Sequence, residues 1–574
     1  MSAVQYVIPD YQRDYKWGET EAQDLIEDLD RAQDHIDEPL FLGTFIFSSS
    51  ESGKANVIDG QQRITTLLLL LIACRMRASA LGETKIQTAI QQKITWMDPL
   101  LGESSGCKLR VSESIRQVFD HIADANWNGE FPDKIGGIQV KRQKNRIKPI
   151  FDYFNEHLST FNREKLTKFL KAVYETYVIV VSISGINEAL QIFERTNARG
   201  MELEISDLLK NYLFSKNVEG ISAKWLEIQE NSDGTIQRLL KYFYVSKNGY
   251  VLKADLYRRL KERAAVSTPE IFTDEIREFS EFYRLAKDPT PADTKQFFAD
   301  REIDGVIKHE KIWLGISHSL QALREFGVAQ FIPLAYAAIG LTKRETQNPL
   351  KAAKNLLMFF EVLEKYHFIN NVVCERVGNE VERLYADKCL EFSESKDQQA
   401  SFNAFYDELK KKLATRAEFI SRFKEISYPP PQRLSLVCYI FDRFVNDGLE
   451  AGQRLPIFHP DKRVLFKNHH IEHFLPKSAG AQQEIDTETR NSISNIGNLL
   501  PLYFKTNIQL SDDPPDVKAE RLTGELAAQI QNNAFVTGFL QRYGTQFTQW
   551  DAAAIKNRAE NLANEGYDKI WNLG

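Results

Sequence analysis

The sequence predicts an α+β protein, predominantly helical, on three observations. Short aromatic and β-branched runs flank one long apolar helix in the first third. Apolar residues recur at spacings of three and four through the middle. A run of prolines then interrupts the chain ahead of a further strand-like segment near the end. At roughly 150 residues per folding unit, 574 residues make three or four units, and the expected divisions are 1–215, a mixed α/β domain, 216–430, a helical middle, and 431–574.

Taken in order, Leu25, Ile26, Leu29 and Ala32 lie on one helical face. FLGTFIF at 41–47 reads as a strand bounded by turn-formers, and VIDG at 57–60 as a second strand ending in a tight turn. Residues 63–81, rich in Leu, Ile and Ala, read as a long helix. TYVIVVSI at 176–183 is another strand, followed by a helix from about 187 to 196 that ends at Ala198, Arg199 and Gly200. The window 349–369 has strong helical periodicity, and Tyr428 with Pro429, Pro430 and Pro431 marks a boundary, because consecutive prolines cannot continue a helix.

Composition excludes several classes. With 73 Lys and Arg against 79 Asp and Glu, the net charge of -6 gives no whole-molecule attraction for a polyanion, so any nucleic-acid contact must be local. The five cysteines, Cys74, Cys107, Cys374, Cys389 and Cys438, form no CxxC pair and are odd in number, as expected of free thiols in a reducing compartment. The start of the chain lacks the signal-peptide pattern. The longest apolar run, 64–74, contains Thr65 and Thr66 and falls short of the roughly 20 residues that span a bilayer. A cytoplasmic protein without a membrane segment is expected.

Three polar clusters fall where loops belong: IPDYQRDYKW at 8–17, DGQQR at 59–63 and ERTNARG at 194–200. DGQQR places a carboxylate, a glycine, two amides and a guanidinium at the mouth of a helix. Main-chain N–H groups and the helix dipole can there receive an anion, and Arg63 can grip a phosphate bidentately. Asp59 would hold magnesium or position a water, and Asn197, Arg199 and Gly200 would form a second wall. A DG turn alone is an ordinary turn and helix cap, and Tyr11, Tyr15 and Trp17 read as packing residues rather than a base-stacking platform.

The second constellation is KNHHIEHFLPKS at 467–478 followed by NIGNLLPLYFKTN at 495–507. Phosphodiester hydrolysis needs a base for water and a cation against developing charge. His473 suits the first task, and Glu472 and Asn507 offer hard oxygens to magnesium. A zinc reading of His469, His470 and His473 would need a helix, whereas Ile471, Phe474 and Leu475 fit a strand entering a turn at Pro476. Two basic stretches are candidate phosphate contacts: 141–148, with Lys141 and Arg142, and 454–477, with Lys467 and Lys477. The first also reads as a solvated helix face.

Together, IPDYQRDYKW, FLGT, DGQQRITTL and FERTNARGMELEISDLLKN resemble, over residues 8–211, the N-terminal domain of GmrSD-type modification-dependent (type IV) restriction endonucleases. The resemblance implies a ParB/sulfiredoxin-like fold that binds and hydrolyses a nucleoside triphosphate at DGQQR. It points to Asp59, Gln61, Gln62 and Arg63, supported by Arg13, Asn197, Arg199, Asp207 and Lys210. The EHxxP string, the GN pair and an Asn nine positions after Asn498 resemble the HNH, or His-Me finger, nuclease motif, a ββα-metal unit. That resemblance implies His473 as base, Asn498 holding the loop and orienting His473, and Asn507 on Mg2+ or Mn2+, with Glu472 where HNH motifs often carry Asp. Residues 550–571 resemble the last helix of the family's C-terminal nuclease domain.

The implied function is an NTP-dependent or NTP-regulated endonuclease that restricts modified phage DNA. Its partners would be double-stranded DNA, a triphosphate (ATP, GTP, CTP or UTP) and a second copy of the chain. The rivals are an NTP-hydrolysing DNA-binding sensor that does not cut and a ParB-like nucleotide-dependent DNA clamp.

Overall fold

The computed structural model of the protein describes residues 4–9, 12, 14–34, 39–49, 53–97, 104–183, 205–216, 219–377, 381–428, 434–449, 453–458, 469–481 and 485–573. Arg13, Asn197, Arg199, Lys467 and the helix expected at 187–196 lie outside the described residues, as does the side chain of Arg142. The chain is mostly helical with a small mixed sheet. Among the described residues no helix is long and apolar enough to cross a membrane.

The chain groups into two compact units, Met1–Leu226 with Tyr257–Asp274, and Glu227–Leu256 with Glu275–Gly574. The prolines at 429–431 do not separate units. Ala322, Phe368 and Ile369 share one core with Ile471, Leu499 and Trp571, and the Phe368 and Trp571 rings stack at 4.2 Å. Burying apolar surface across that point joins what the turn residues would divide.

The first unit is built on strands β1 (Gln5–Val7), β2 (Phe41–Ser49), β3 (Lys54–Asp59), β4 (Leu109–Arg110) and β5 (Tyr177–Ile183), in the order β4-β1-β3-β2-β5. β1 runs parallel to β3 and β4, β2 is antiparallel to β3, and β5 is parallel to β2. Helix α1 (Glu19–Asp34) buries Leu25, Ile26 and Leu29, as its periodicity requires. Helix α2 (Gln61–Ala80) is apolar nearly all round and lies in the core. Its two threonines are tolerated there because Thr65 and Thr66 donate back to the carbonyls of Gln61 and Gln62, at 2.8 and 2.9 Å. Helix α3 (Lys141–Leu158) carries the first basic run, and α4 (Ile205–Phe214) carries Asp207 and Lys210.

In the second unit α5 (Glu310–Glu325) packs on α6 (Pro349–His367) at Gly315, where a Cβ would stand 2.6 Å from Leu357 Cδ1. α6 starts at an Asn348 cap with Pro349 in the first turn. After α7 (Leu434–Val445) comes an antiparallel hairpin of β6 (His469–His473) and β7 (Leu499–Tyr503), with His473 opposite Leu499. α8 (Phe504–Leu510) and α9 (Pro515–Thr523) follow, and α10 (Ala552–Glu565) begins at an Asp551 cap. The hairpin is buried on both faces. Ile471 and Leu499 enter the core shared with α7 and α10, while Leu500 and Leu502 enter a second core with Leu510 of α8 and Leu522 of α9.

Candidate active site

At the end of β3 the chain turns through Gly60, in the left-handed region at φ 92°, where a Cβ would overlap the Phe45 ring. The N-cap of α2 is this glycine, which has no side chain to cap the helix, so its first N–H groups keep the capacity to receive an anion. The side chains around it serve the fold. Arg63 Nη1 donates to the Leu42 carbonyl (2.6 Å), and Nη2 donates to the Thr44 carbonyl (2.8 Å) and lies 3.4 Å from Asp59 Oδ2. Both terminal nitrogens are committed to β2 and β3, so the bidentate phosphate grip expected of Arg63 is replaced by a strand-to-helix staple.

Gln62 Oε1 accepts from the main-chain N–H groups of Lys16 and Trp17, at 2.8 and 3.3 Å, and its Nε2 donates to the Asp14 carbonyl (3.0 Å). Gln61 is buried at the same helix start. Gln12 Nε2 donates to the Ile58 carbonyl (2.8 Å), and the buried Lys210 donates to the Gln12 carbonyl at 3.3 Å. Lys210 thus reaches the polar N-terminal segment, and Asp207 lies one turn earlier on the same helix, partly buried. Tyr15 is buried with its hydroxyl on Thr66 (2.6 Å), which makes it a packing residue.

The basic run on α3 is largely spoken for. Lys144 pairs with Asp133 (2.8 Å), Lys148 pairs with Asp152, and Arg146 donates to the Tyr15 carbonyl (2.9 Å), while Lys141 is exposed at the helix start. A solvated helix face describes it better than a nucleic-acid stripe.

In the second unit His473 ends β6, buried. Its Nε2 lies 3.4 Å from the Tyr428 carbonyl. A carbonyl only accepts, so Nε2 carries the hydrogen and Nδ1 keeps its lone pair. Burial, reinforced by the Lys477 and Lys518 charges, pushes the imidazole down to about 4, so it is neutral at pH 7. Tyr428 is itself fixed: its N–H donates to the Ser494 carbonyl (2.7 Å), beside a bridge of Ser427 with Asn495.

The tautomer-setting role expected of Asn498 therefore falls to Tyr428. Asn498 is fully buried and spends its whole amide on the main chain and a tryptophan. Oδ1 accepts from Leu475 N (2.8 Å) and Trp550 Nε1 (3.0 Å), and Nδ2 donates to the carbonyls of Leu475 (2.9 Å) and Ile493 (2.7 Å). It fixes the turn that follows His473 and makes no hydrogen bond to the ring. Gly497 is needed beside it because a Cβ there would overlap the Ile555 carbonyl of α10.

Strand alternation puts Glu472 on the face opposite His473, the face that α8 and α9 cover. Its carboxylate is bound by Lys518 of α9, whose Nζ also donates to the His473 carbonyl at 3.0 Å. Burial raises the Glu472 carboxyl and Lys518 lowers it. As a cation ligand Glu472 would have to exchange the ammonium of Lys518, so the role expected of it is already filled by a protein charge. Asn507 on α8 differs: its Oδ1 is buried without a hydrogen-bond partner among the described residues, which suits a cation ligand. Lys477 is exposed, with its ammonium 5.6 Å from the Tyr428 ring centre.

His469 lies on a strand, with Nδ1 donating to the Pro456 carbonyl (3.2 Å), and among the described residues no group of three His, Cys, Asp or Glu could hold a metal. Lys518 and the Tyr428 carbonyl were absent from the sequence reading. Lys518 belongs to no motif, and a main-chain carbonyl leaves no side-chain signature.

Two family profiles match the chain. Residues 1–214 match GmrSD restriction endonuclease, N-terminal domain, and residues 391–565 match GmrSD restriction endonucleases, C-terminal domain. Together these matches span more than half of the 574 residues. No curated protein matches the chain.

Proposed function

Because the chain belongs to the GmrSD restriction endonuclease family, with DNA as its partner, we propose that it is a metal-dependent, type IV DNA endonuclease whose nucleotide-bound N-terminal unit regulates cleavage of modified phage DNA. The observation that carries the nuclease reading is the imidazole of His473, neutral and held by the Tyr428 carbonyl so that Nδ1 is the free base. His473 Nδ1 takes the proton from the attacking water. Asn507 Oδ1 would hold Mg2+ or Mn2+, and the cation would supply charge neutralisation at the scissile phosphodiester. Lys518 and Asn498 keep the strand end and its turn in place, and the exposed Lys477 meets the phosphate backbone. One such centre cuts one strand, so a double-strand break takes a second copy or two nicks.

The uncapped start of α2 beside Asp59 supports triphosphate binding in the first unit, where hydrolysis would gate the nuclease. The test is incubation of the full chain with unmodified and modified phage DNA, Mg2+ and each triphosphate in turn. Nicked or linear product that depends on Mg2+, disappears in His473→Ala and loses its nucleotide dependence in Asp59→Ala is the expected result. Intact DNA under every condition would favour a sensor that binds without cutting. Cleavage undiminished in His473→Ala would remove the assigned base.

A further inference from the structure

A cavity of about 340 Å3 lies within the second unit, open to solvent and lined by α5, α6, α7 and the chain at 446–449, 454 and 570–571. Its size falls in the lower part of the range for ligand pockets, about 300–1,000 Å3. Its lining mixes apolar side chains, Leu314, Leu357 and Trp571, with charged and polar ones, His318, Glu361, Glu364, Lys365, Arg443 and Arg454.

Some of those charges belong to the fold. Arg443 Nε donates to Glu364 (2.7 Å), which also accepts from the Tyr439 hydroxyl (2.8 Å), and Arg443 Nη1 donates to Asp442 (2.8 Å). The remainder do not. Arg454 is held in place because Asn446 clasps the neighbouring Leu455 at both its N–H (2.7 Å) and its carbonyl (2.9 Å). Its guanidinium nevertheless meets no carboxylate among the described residues; its partner is His318 Nδ1 at 3.2 Å. A guanidinium cannot accept, so Nδ1 does, and the imidazole is neutral with its hydrogen on Nε2. Burial beside Arg443 and Arg454 enforces that state, pushing the ring down to about 3.

Glu361, on the facing helix α6, has no ion pair among the described residues, although Arg454 and Lys365 are near enough to act on its carboxyl. Lys365 donates to the Asn572 carbonyl (3.1 Å). Glu361 and Arg454 thus both line the cavity without an ion pair between them.

We propose that this cavity binds a nucleoside monophosphate, with its phosphate on Arg454, Lys365 and the His318 Nε2–H, a donor edge of its base on Glu361, and the base against Leu314 and Leu357. Guanine suits the last contact because its N1–H and exocyclic amine form a fork that matches a carboxylate. The site is separate from the nuclease reading and does not depend on it.

Calorimetric titration of the full chain with GMP and with inorganic phosphate tests the assignment. Saturable GMP binding, at least tenfold tighter than phosphate, is expected. In Arg454→Gln one GMP site should be lost or weakened about tenfold or more, the loss of a charge-assisted contact, while the melting temperature holds, because Arg454 pairs with no buried acid. Glu361→Gln should weaken GMP by a similar factor and leave phosphate binding unchanged. Absence of GMP binding, equal affinity for phosphate and GMP, or an undiminished site in Arg454→Gln would each overturn the proposal.

Discussion

Asn498 and Asn507 carry the same amide nine positions apart, and the structure uses them in opposite ways. Asn498 makes four hydrogen bonds in a fully buried knot, and its removal strands Leu475 N, Trp550 Nε1 and two carbonyls. Each buried group left without a partner costs about 1–3 kcal/mol, so Asn498→Ala should lose at least about 3 kcal/mol of stability, read as a lower denaturation midpoint. Asn507 has a buried Oδ1 with no hydrogen-bond partner among the described residues. Asn507→Ala should change stability by less than about 0.5 kcal/mol while plasmid cleavage falls on the order of 100-fold or more. If Asn507→Ala unfolds the protein, or Asn498→Ala does not destabilise it, the two assignments are reversed. The spacing of the two residues was legible because it is local in sequence. The division of labour was not, since it depends on partners such as Trp550 that stand 52 positions away.

At the scale of elements, short motifs were read correctly as turns for reasons that only packing supplies. The glycine of the GN pair carries no positive φ; it is glycine because α10 passes against it, and a Cβ would overlap the Ile555 carbonyl and stand 3.0 Å from Ala559 N. Gly497→Ala must therefore push α10 and the turn apart. An expected loss of about 3 kcal/mol follows from overpacking against backbone that cannot rotate away, measurable in the same denaturation experiment; Gly340→Ala, in a helix where a Cβ would meet only the Arg344 side chain at 3.8 Å, is the neutral control. A Gly497→Ala protein as stable as the control would show that α10 yields freely. Strands β2, β3 and β5 and helix α2 were visible in the sequence because each is long enough to show composition or periodicity. β1 and β4, of three and two residues, were not: they exist through hydrogen bonds to β3 and β1, which no local pattern encodes. The same limit hid Lys518, whose bond to Glu472 joins positions 46 apart.

Among the described residues of the second unit, four imidazoles are kept neutral by burial: His318 at about 3, and His367, His469 and His473 at about 4. An unfolded chain protonates each of them near 6.5. Between about pH 6.5 and 4 the unfolded state therefore binds more protons than the native one, and the slope of stability with pH is positive across that window. Above it the four groups are neutral in both states and contribute no slope. Denaturant titrations of the metal-free chain should give a flat midpoint from pH 8 to 7 and a falling one from pH 6.5 to 5. The fall should be steeper than a single titrating group allows, because all four contribute, partly offset by Glu361, Asp442 and Glu472, whose raised carboxyls act in the other direction. The same shift separates catalysis from stability. Since His473 stays neutral to well below pH 6.5, cleavage per folded molecule should not decline between pH 8 and 6, and acid inactivation should follow the unfolding transition. A cleavage rate that halves near pH 6.5 in a fully folded protein would place the titrating base in water rather than behind Tyr428.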